Sequence, residues 1–295
     1  MIVHRSTLNP RVRSLKDCLY PLDAMPKSEI GKEIIHKYET ENPIILKIRH
    51  RTHLRLKLPE FDLEKARNEV YKFYAGDDFI SLDMQGMPTN NGGESYSVTN
   101  KPKYKHTHWS SRALVNYIPE SKGVWGKNDR DLAIANYPQL QQNALSVKGH
   151  RPFLRDMTFY KTEVWDMLPY ITNYIMTHLC SDFKFIRRTH LFKLKPRGCL
   201  TFHNHRILWE NEEAPHDEGI IHIPLYTHEN CKMLTQIGDS DWIDSQHYAA
   251  GEVWLLNTYM NHAVDATSCP IDRLHLTIMV DFSDPRFAAL LENSL

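Results

Sequence analysis

Residues 183–282 consist of short runs of apolar and β-branched residues separated by turn-forming residues. The runs are FKFIRRTHLFKL (183–194), CLTFHN (199–204), GIIHIPLYT (219–227), CKMLTQIG (231–238), GEVWLLN (251–257), HAVDA (262–266) and RLHLTIMVDF (273–282). Many short strands with turns between them are typical of a β-sandwich or barrel. The C-terminal part of the chain is therefore predicted to be a β-structure.

Two stretches before this region have the apolar spacing of helices. Residues 63–74 follow Asp62, a suitable N-cap. Residues 163–180 form the second predicted helix, and Pro169 could kink it. The apolar face predicted for this second helix contains Val164, Met167, Leu168, Ile171, Ile175 and Leu179. Helices followed by strands predict an α+β fold with the N-terminal helices packed against the β-core.

Two other N-terminal stretches have different patterns. Residues 44–59 partly alternate apolar and basic side chains, which predicts an early strand. Residues 84–105 contain a cluster of Gly, Pro and Asn residues, which predicts a loop. No repeat interrupts the chain, so one domain over residues 1–295 is expected, with an N-terminal region up to residue 182.

The overall composition excludes several classes of protein. The chain has 295 residues, of which 36 are Lys or Arg and 36 are Asp or Glu, so its formal net charge is zero. This balance does not predict binding to nucleic acid or to an anionic membrane. No apolar stretch approaches the roughly 18 residues that span a bilayer, and residues 1–13 lack the apolar segment of a secretory signal. We expect a cytoplasmic protein of unknown oligomeric state.

Histidine is the residue type that points to chemistry. The five cysteines form no C-x-x-C pair, so neither a disulfide framework nor a zinc knuckle is expected. The chain has 17 histidines, in contrast, and several of them crowd between residues 203 and 275. His203 and His205 are two residues apart near the end of a predicted strand, and such residues lie on one face of a strand. Neutral imidazoles of this kind suit Fe, Zn, Cu or Ni.

The other half of such a site is expected from later strands. His262 stands where a strong strand pattern ends in a polar turn, and Arg273 opens the next strand. An inward-facing guanidinium at Arg273 could pair with a carboxylate in bidentate fashion. A metal-bound dicarboxylic cosubstrate would need this combination of ligand and arginine.

The order of these motifs resembles that of a known family. The motifs are Gly198, His203, His222-Ile-Pro-Leu225, Gly251-Glu252, His262 and Arg273-Leu-His-Leu276. Residues 198–282 resemble the core of the Fe(II)- and 2-oxoglutarate-dependent oxygenases, specifically the aspartyl/asparaginyl β-hydroxylase and cis-proline hydroxylase group. The resemblance implies a double-stranded β-helix, the jelly-roll or cupin-like fold, over residues 183–285.

The resemblance also implies roles for individual residues. His203 and His262 would bind Fe(II), and Arg273 would pair with the distal carboxylate of 2-oxoglutarate. His222 would lie against the cosubstrate or the metal pocket, and His275, on the strand face of Arg273, could line the pocket.

The third metal ligand is left open by the sequence. Proline hydroxylases of this group have an Asp where this chain has His205. Either His205 is a third ligand, or two histidines suffice, or another carboxylate such as Glu210 or Asp217 completes the site.

The implied activity is that of a dioxygenase. With O2 it would hydroxylate an unactivated C–H bond of an amino acid, an amino-acid residue or a small metabolite. Halogenation and desaturation remain open outcomes. One alternative is a cupin enzyme that binds metal through His203, His205, Glu210 and His262 without 2-oxoglutarate. Another alternative is a non-catalytic β-barrel binding module.

Overall fold

The computed structural model describes residues 1–12, 36, 39–76, 80–81, 94–95, 104–105, 109–116, 158–203, 207–209, 212–214, 218–238, 240–258 and 260–295. The strands are β1 (Ile2–His4), β2 (His53–Arg55), β3 (Ile80–Ser81), β4 (Glu94–Ser95), β5 (Tyr104–Lys105), β6 (Trp109–Asn116), β7 (Tyr160–Lys161), β8 (Ile186–Leu194), β9 (Cys199–His203), β10 (Ile207–Trp209), β11 (Glu212–Ala214), β12 (Glu218–Tyr226), β13 (Lys232–Gln236), β14 (Trp242–Gln246), β15 (Trp254–Leu256), β16 (His262–Asp265) and β17 (Arg273–Asp281). The helices are α1 (Ile44–Ile48), α2 (Leu63–Gly76), α3 (Glu163–Asp166), α4 (Pro169–Tyr174) and α5 (Pro285–Ser294), with a π-helix at Ile175–Leu179 and 3-10 turns at Arg5–Thr7 and Phe183–Phe185.

Most strands belong to two antiparallel sheets that pack face to face. The large sheet has the order β2-β15-β12-β17-β8-β6-β3 with β7 beside β6, and the small sheet has the order β1-β14-β13-β16-β9. Leu194 and Leu256 of the large sheet pack with Met233 and Val264 of the small sheet in one buried cluster. The chain crosses repeatedly from one sheet to the other. This is the predicted α+β fold with a double-stranded β-helix core.

Strands from the N-terminal part extend both sheets. β1 pairs with β14 in the small sheet, whereas β2 pairs with β15 and β6 with β8 in the large sheet. Backbone hydrogen bonds therefore join the N-terminal region to the β-helix core. The single domain over residues 1–295 stays a prediction.

Alternation along β17 gives the large sheet two different faces. Leu274, Leu276, Ile278 and Val280 point into the main apolar cluster, which also contains the helix residues Val70, Ile171 and Leu291. Side chains two residues apart share a face of a strand, so Arg273, His275 and Thr277 lie on the opposite face. One face of the large sheet thus packs on the helices, and the other faces the small sheet.

The predicted helix at residues 63–74 is confirmed as α2. Its N-terminus is capped as expected, because Asp62 Oδ1 accepts a hydrogen bond from the backbone N–H of Lys65 at 2.9 Å. Ala66, Val70 and Phe73 form its buried stripe.

The prediction of one helix over residues 163–180 was partly wrong. Three helical segments follow one another, and Pro169 begins the second of them. At this first position a residue makes no hydrogen bond within the helix through its N–H, so proline, which lacks an N–H, fits there. Five of the six predicted apolar positions are fully buried, but Met167 is 42% exposed because it lies in the break between α3 and α4.

The prediction of a strand over residues 44–59 was largely wrong. Residues Ile44–Ile48 form helix α1, and only His53–Arg55 pair as a strand. Ile44, Ile45 and Ile48 are buried at helical spacing while Leu46 is 46% exposed. Lys47 Nζ lies 2.6 Å from Glu292 Oε1 on α5. Burial of the three isoleucines in the main apolar cluster thus overrides the local alternation of the stretch.

Residues 84–105 were predicted to form a loop. Within this stretch β4 and β5 pair with each other, so the prediction was wrong for those four residues. The remainder of the stretch lies outside the described residues.

Two other expectations concern cysteines and the membrane. The four cysteines that the structure describes, Cys180, Cys199, Cys231 and Cys269, are all free thiols and buried. Within the described part of the chain, every helix is too short or too polar to cross a bilayer.

Candidate active site between the two sheets

The inner face of the large sheet carries polar side chains that are almost wholly buried. Arg273 and His275 lie on β17, and His222 lies on β12 opposite Thr277 of β17. The exposed fractions of Arg273, His275 and His222 are 3%, 1% and 8%. The rings of His222 and His275 are 5.9 Å apart between centroids. The structure thus brings together the three residues that the sequence assigns to the cosubstrate.

The guanidinium of Arg273 is a buried cation without an anion among the described residues. Its Nη2 lies 2.8 Å from His275 Nδ1 and 3.3 Å from Met233 Sδ, and its Nε has no hydrogen-bond partner. Burial lowers the pKa of Arg273 from its ordinary value. The two carboxylates near it in sequence are engaged elsewhere, since Asp272 pairs with Lys193 and Asp281 with Arg187.

The two imidazoles beside Arg273 are neutral. Because a guanidinium has only donors, His275 Nδ1 accepts the hydrogen bond from Arg273 and the ring proton lies on Nε2. His275 Nε2 and His222 Nδ1 are both buried without a partner. Burial, and then the charge of Arg273, hold the pKa of both histidines well below the usual range.

These groups fit a bound dicarboxylate. Buried polar atoms without partners are uncommon in native proteins and call for an explanation. A carboxylate beside Arg273 would accept from the free Nε–H of that residue and from the Nε2–H of His275, and would neutralise the buried charge. The chemistry of this donor set therefore suits the distal carboxylate of 2-oxoglutarate.

The predicted metal ligands His203 and His262 are cross-strand neighbours. They occupy directly opposite positions on β9 and β16, and the register shifts by one residue between His262 and Val264. Their backbones are therefore neighbours across the two strands, beside an irregularity of the kind that is over-represented next to active sites. The tertiary structure thus pairs two histidines that are 59 positions apart in the sequence.

The backbone fixes the orientation of the His262 ring. Its Nδ1 lies 2.9 Å from the carbonyl oxygen of Met260. Since a carbonyl only accepts, Nδ1 carries a proton, and a metal would bind this ring through Nε2. A backbone hydrogen bond of this kind commonly orients metal-binding histidines.

The remaining ligand candidates cannot be compared with the structure. His205, Glu210 and Asp217 lie outside the described residues. Within the residues that are described, no group of three or more His, Cys, Asp or Glu side chains could hold a metal ion. The ligand set therefore stays a prediction.

Sequence reasoning missed Tyr248 and His53, which extend this interior. Tyr248 is 1% exposed, and its ring stacks on Trp254 with centroids 4.8 Å apart. Its hydroxyl lies 2.6 Å from His53 Nδ1 on β2. Burial lowers the pKa of His53 to about 4, so its ring is neutral at pH 7. Neither residue belongs to a periodic pattern that would have identified it.

The Gly251-Glu252 motif has a structural role. Gly251 has a positive φ of 81°, a conformation that glycine adopts without strain. Glu252 Oε2 accepts hydrogen bonds from the backbone N–H of Ala249 at 3.0 Å and from Trp254 Nε1 at 2.9 Å. Because Trp254 stacks on Tyr248, this motif holds one wall of the interior in place.

Comparisons with known proteins give only distant similarities. No protein-family model and no curated protein sequence matches the chain. The structure is similar to a Pseudomonas putida prolyl-4-hydroxylase, with 12% identity and a TM-score of 0.37 over 82% of this chain and 99% of that one. It is also similar to the non-heme alpha-ketoglutarate-dependent carbocyclase SnoK from nogalamycin biosynthesis, with 10% identity and a TM-score of 0.40 over 81% and 83% of the two chains.

A further similarity is to the non-heme monooxygenase ThoJ in a nickel complex. The identity is 16% and the TM-score is 0.28, and the match covers 40% of this chain and about half, 54%, of that one. Similarities at these values carry no argument about activity.

Proposed function

We propose that this protein is an Fe(II)- and 2-oxoglutarate-dependent dioxygenase. The observation that carries the proposal is the Arg273 guanidinium, which is 3% exposed and has no carboxylate partner among the described residues. An isolated buried charge is strongly unfavourable unless a counter-ion binds beside it. The cross-strand pair of His203 and His262 supplies metal-binding residue types in the same fold.

Each residue has a separate task in this proposal. His203 and His262 would hold Fe(II), and Arg273 would bind the distal carboxylate of 2-oxoglutarate. His275 keeps the guanidinium oriented by accepting its Nη2–H, and it presents its own Nε2–H to the same carboxylate. His222 lies beside His275 and lines the cosubstrate pocket. The burial of all three excludes water from the anion.

When bound, Fe(II) supplies the oxidative chemistry that uses O2 to split 2-oxoglutarate into succinate and CO2 and to hydroxylate a C–H bond. The substrate would be an amino acid, an amino-acid residue or a small metabolite. A carboxylate-free ligand set that includes His205 would leave halogenation and desaturation as alternative outcomes.

Anaerobic titration of the metal-free protein with Fe(II) and then 2-oxoglutarate tests the proposal. We expect a visible charge-transfer band from the chelated 2-oxo acid in the wild-type protein. Arg273→Gln should raise the concentration of 2-oxoglutarate needed for half of this band at least tenfold while leaving the Fe(II) stoichiometry unchanged. Arg51→Gln, at an exposed arginine, is the matched control and should behave as wild type.

Other results would support a different function. Stoichiometric Fe(II) without a 2-oxoglutarate band would indicate a metal-dependent cupin. Failure to bind metal would leave a non-catalytic binding module. His205→Ala, titrated in parallel, would show through a loss of Fe(II) affinity whether His205 is a ligand.

A further inference from the structure

A second set of unpaired polar groups lies on β8. Arg188 and His190 are two residues apart on the strand face that also carries Phe192 and Leu194. The rings of His190 and Phe192 stack with centroids 5.2 Å apart, and His190 is 6% exposed. Arg188 Nε and His190 Nδ1 are both buried and have no hydrogen-bond partner. Neither belongs to the site of Arg273.

The preceding residue on β8, Arg187, is an arginine that has a carboxylate partner. Arg187, next to Arg188 where the pairing of β8 with β17 is irregular, forms a buried ion pair with Asp281 and donates to the carbonyl of Lys184 at 2.6 Å. Arg188 has no such carboxylate among the described residues. Burial, and then the nearby Arg188, lower the pKa of His190 to about 3, so the His190 ring is neutral.

The strand register places this set near the candidate metal ligands. Residues 195–198 connect the end of β8 to the start of β9. His190 lies four residues before Leu194, and His203 lies four residues after Cys199. At about 3.3 Å per residue, both are about 13 Å from this turn, on facing sheets. Arg273 lies opposite Leu194, at the turn itself. Arg188 and Arg273 are therefore at opposite ends of the interior.

We propose that Arg188 and His190 form a subsite for a carboxylate of the primary substrate, on the far side of the metal from the 2-oxoglutarate carboxylate. A carboxylate can accept from the buried Arg188 Nε–H and from the single N–H of the neutral His190 ring, and it neutralises the charge of the partly buried Arg188. The inference rests on the proposed function for the identity of the neighbouring metal site. It narrows the substrate to compounds that carry a free carboxylate.

Ligand-observed NMR on the Zn(II)-loaded protein at saturating 2-oxoglutarate tests the subsite. One probe is an equimolar mixture of N-acetyl-L-amino acids, and the other is the matched mixture of N-acetyl-L-amino acid amides. We expect members of the carboxylate mixture to bind and their amides to bind at least tenfold more weakly, which corresponds to about 1.4 kcal/mol.

The variants separate the subsite from the 2-oxoglutarate site. Arg188→Gln should weaken binding of the carboxylate mixture at least tenfold while changing the affinity for 2-oxoglutarate by less than twofold. Arg188→Lys should restore part of the binding, and Arg51→Gln should have no effect. Three results would each overturn the subsite. Two of them are unchanged probe binding in Arg188→Gln and equal binding of acids and amides. The third is no binding of either mixture at about 10 mM, a concentration on the order of the weakest dissociation constant of interest.

The same measurement distinguishes the two proposals. If the wild-type protein does not bind 2-oxoglutarate, yet carboxylate binding still depends on Arg188, then the oxygenase proposal fails and the anion subsite stands. If 2-oxoglutarate binds normally and Arg188 has no effect on the probes, the oxygenase proposal stands and the subsite fails.

Discussion

The buried charges of the large sheet differ in whether they have a partner. Arg187 pairs with Asp281 near the end of β17, and Lys193 pairs with Asp272 on the face towards the helices. On the face towards the small sheet, the polar side chains of Arg188, His190, His222, Arg273 and His275 each retain a buried polar atom without a partner. The same strands β8 and β17 supply residues to both faces.

This contrast separates stability from function. A paired buried charge is held by its partner, and an unpaired one is costly in the absence of a ligand. Proteins retain such unfavourable groups mainly at functional sites. The paired charges therefore stabilise the fold, and the unpaired groups of the inner face are those that we propose to bind anions.

The largest difference in stability is expected between substitution of a paired buried arginine and substitution of an unpaired one. Arg187→Gln should lower the free energy of unfolding by about 3–5 kcal/mol, because it leaves the Asp281 carboxylate buried without its cation. Arg273→Gln should change it by less than about 1 kcal/mol, because it removes an uncompensated charge. Urea unfolding of the metal-free protein followed by circular dichroism measures both. Equal losses in the two variants would contradict the functional distinction between the faces.

A pair of adjacent residues on β17 gives the next largest effect. Ile278 is fully buried in the cluster beneath the helices, so Ile278→Ala should reduce stability by about 3 kcal/mol through lost burial and a residual cavity. Thr277 lies on the other face, and its hydroxyl donates to the His190 carbonyl at 3.2 Å. Thr277→Val should cost only about 1 kcal/mol. Thermal unfolding of the two variants, side by side, checks the ranking.

The unpaired histidines predict a dependence of stability on pH. Burial lowers the pKa of His190 to about 3, below the value of about 6.5 in the unfolded chain. The unfolded state therefore binds more protons below pH 6.5, and stability is full above that pH and falls as the pH decreases. Between pH 6.5 and 5 this one group should account for about 2 kcal/mol.

His190→Gln tests this contribution, with His36→Gln at an exposed position as the control. Unfolding by urea at pH 7 and pH 5, in the presence of a chelator, should show a smaller acid-induced loss in His190→Gln than in the control. The same loss in both variants would mean that His190 is protonated in the folded state.

The smallest effect is expected at the hydrogen bond between Tyr248 and His53. Tyr248→Phe removes one hydroxyl 2.6 Å from His53 Nδ1 and should reduce stability by about 1 kcal/mol. A double-mutant cycle with His53→Phe should give a coupling energy of similar size. Additive effects in the cycle would show that the two side chains do not support each other.

The accuracy of the sequence predictions depended on whether a pattern was local. The run of apolar and β-branched residues at 273–282 correctly predicted a strand, and the spacing of residues 63–74 correctly predicted α2. The stretch 44–59 alternates over only a few positions, and burial of three isoleucines in the main apolar cluster selected a helix at its start. Local periodicity is overridden where a short segment can bury more apolar surface in another conformation.

Single residues of the candidate site were harder to predict than its motifs. The ordered motifs pointed to His222, Arg273 and His275, which the structure brings together. Nothing in the run FKFIRRTHLFKL distinguished Arg187 from Arg188, because the partner of Arg187 is Asp281, 94 positions away. His53 and Tyr248 are likewise 195 positions apart in the sequence.

The order of apolar and polar residues was sufficient for the β-rich C-terminal part and for α2, whereas the candidate ligands and arginine followed from a family resemblance and stay predictions. It was sufficient because strand and helix periods are properties of neighbouring residues. The three-dimensional arrangement determined which buried charges are paired, which nitrogen of His262 carries the proton, and that Arg188 and Arg273 lie at opposite ends of one interior. These properties depend on contacts between distant segments, and desolvation makes each such contact, or its absence, energetically decisive.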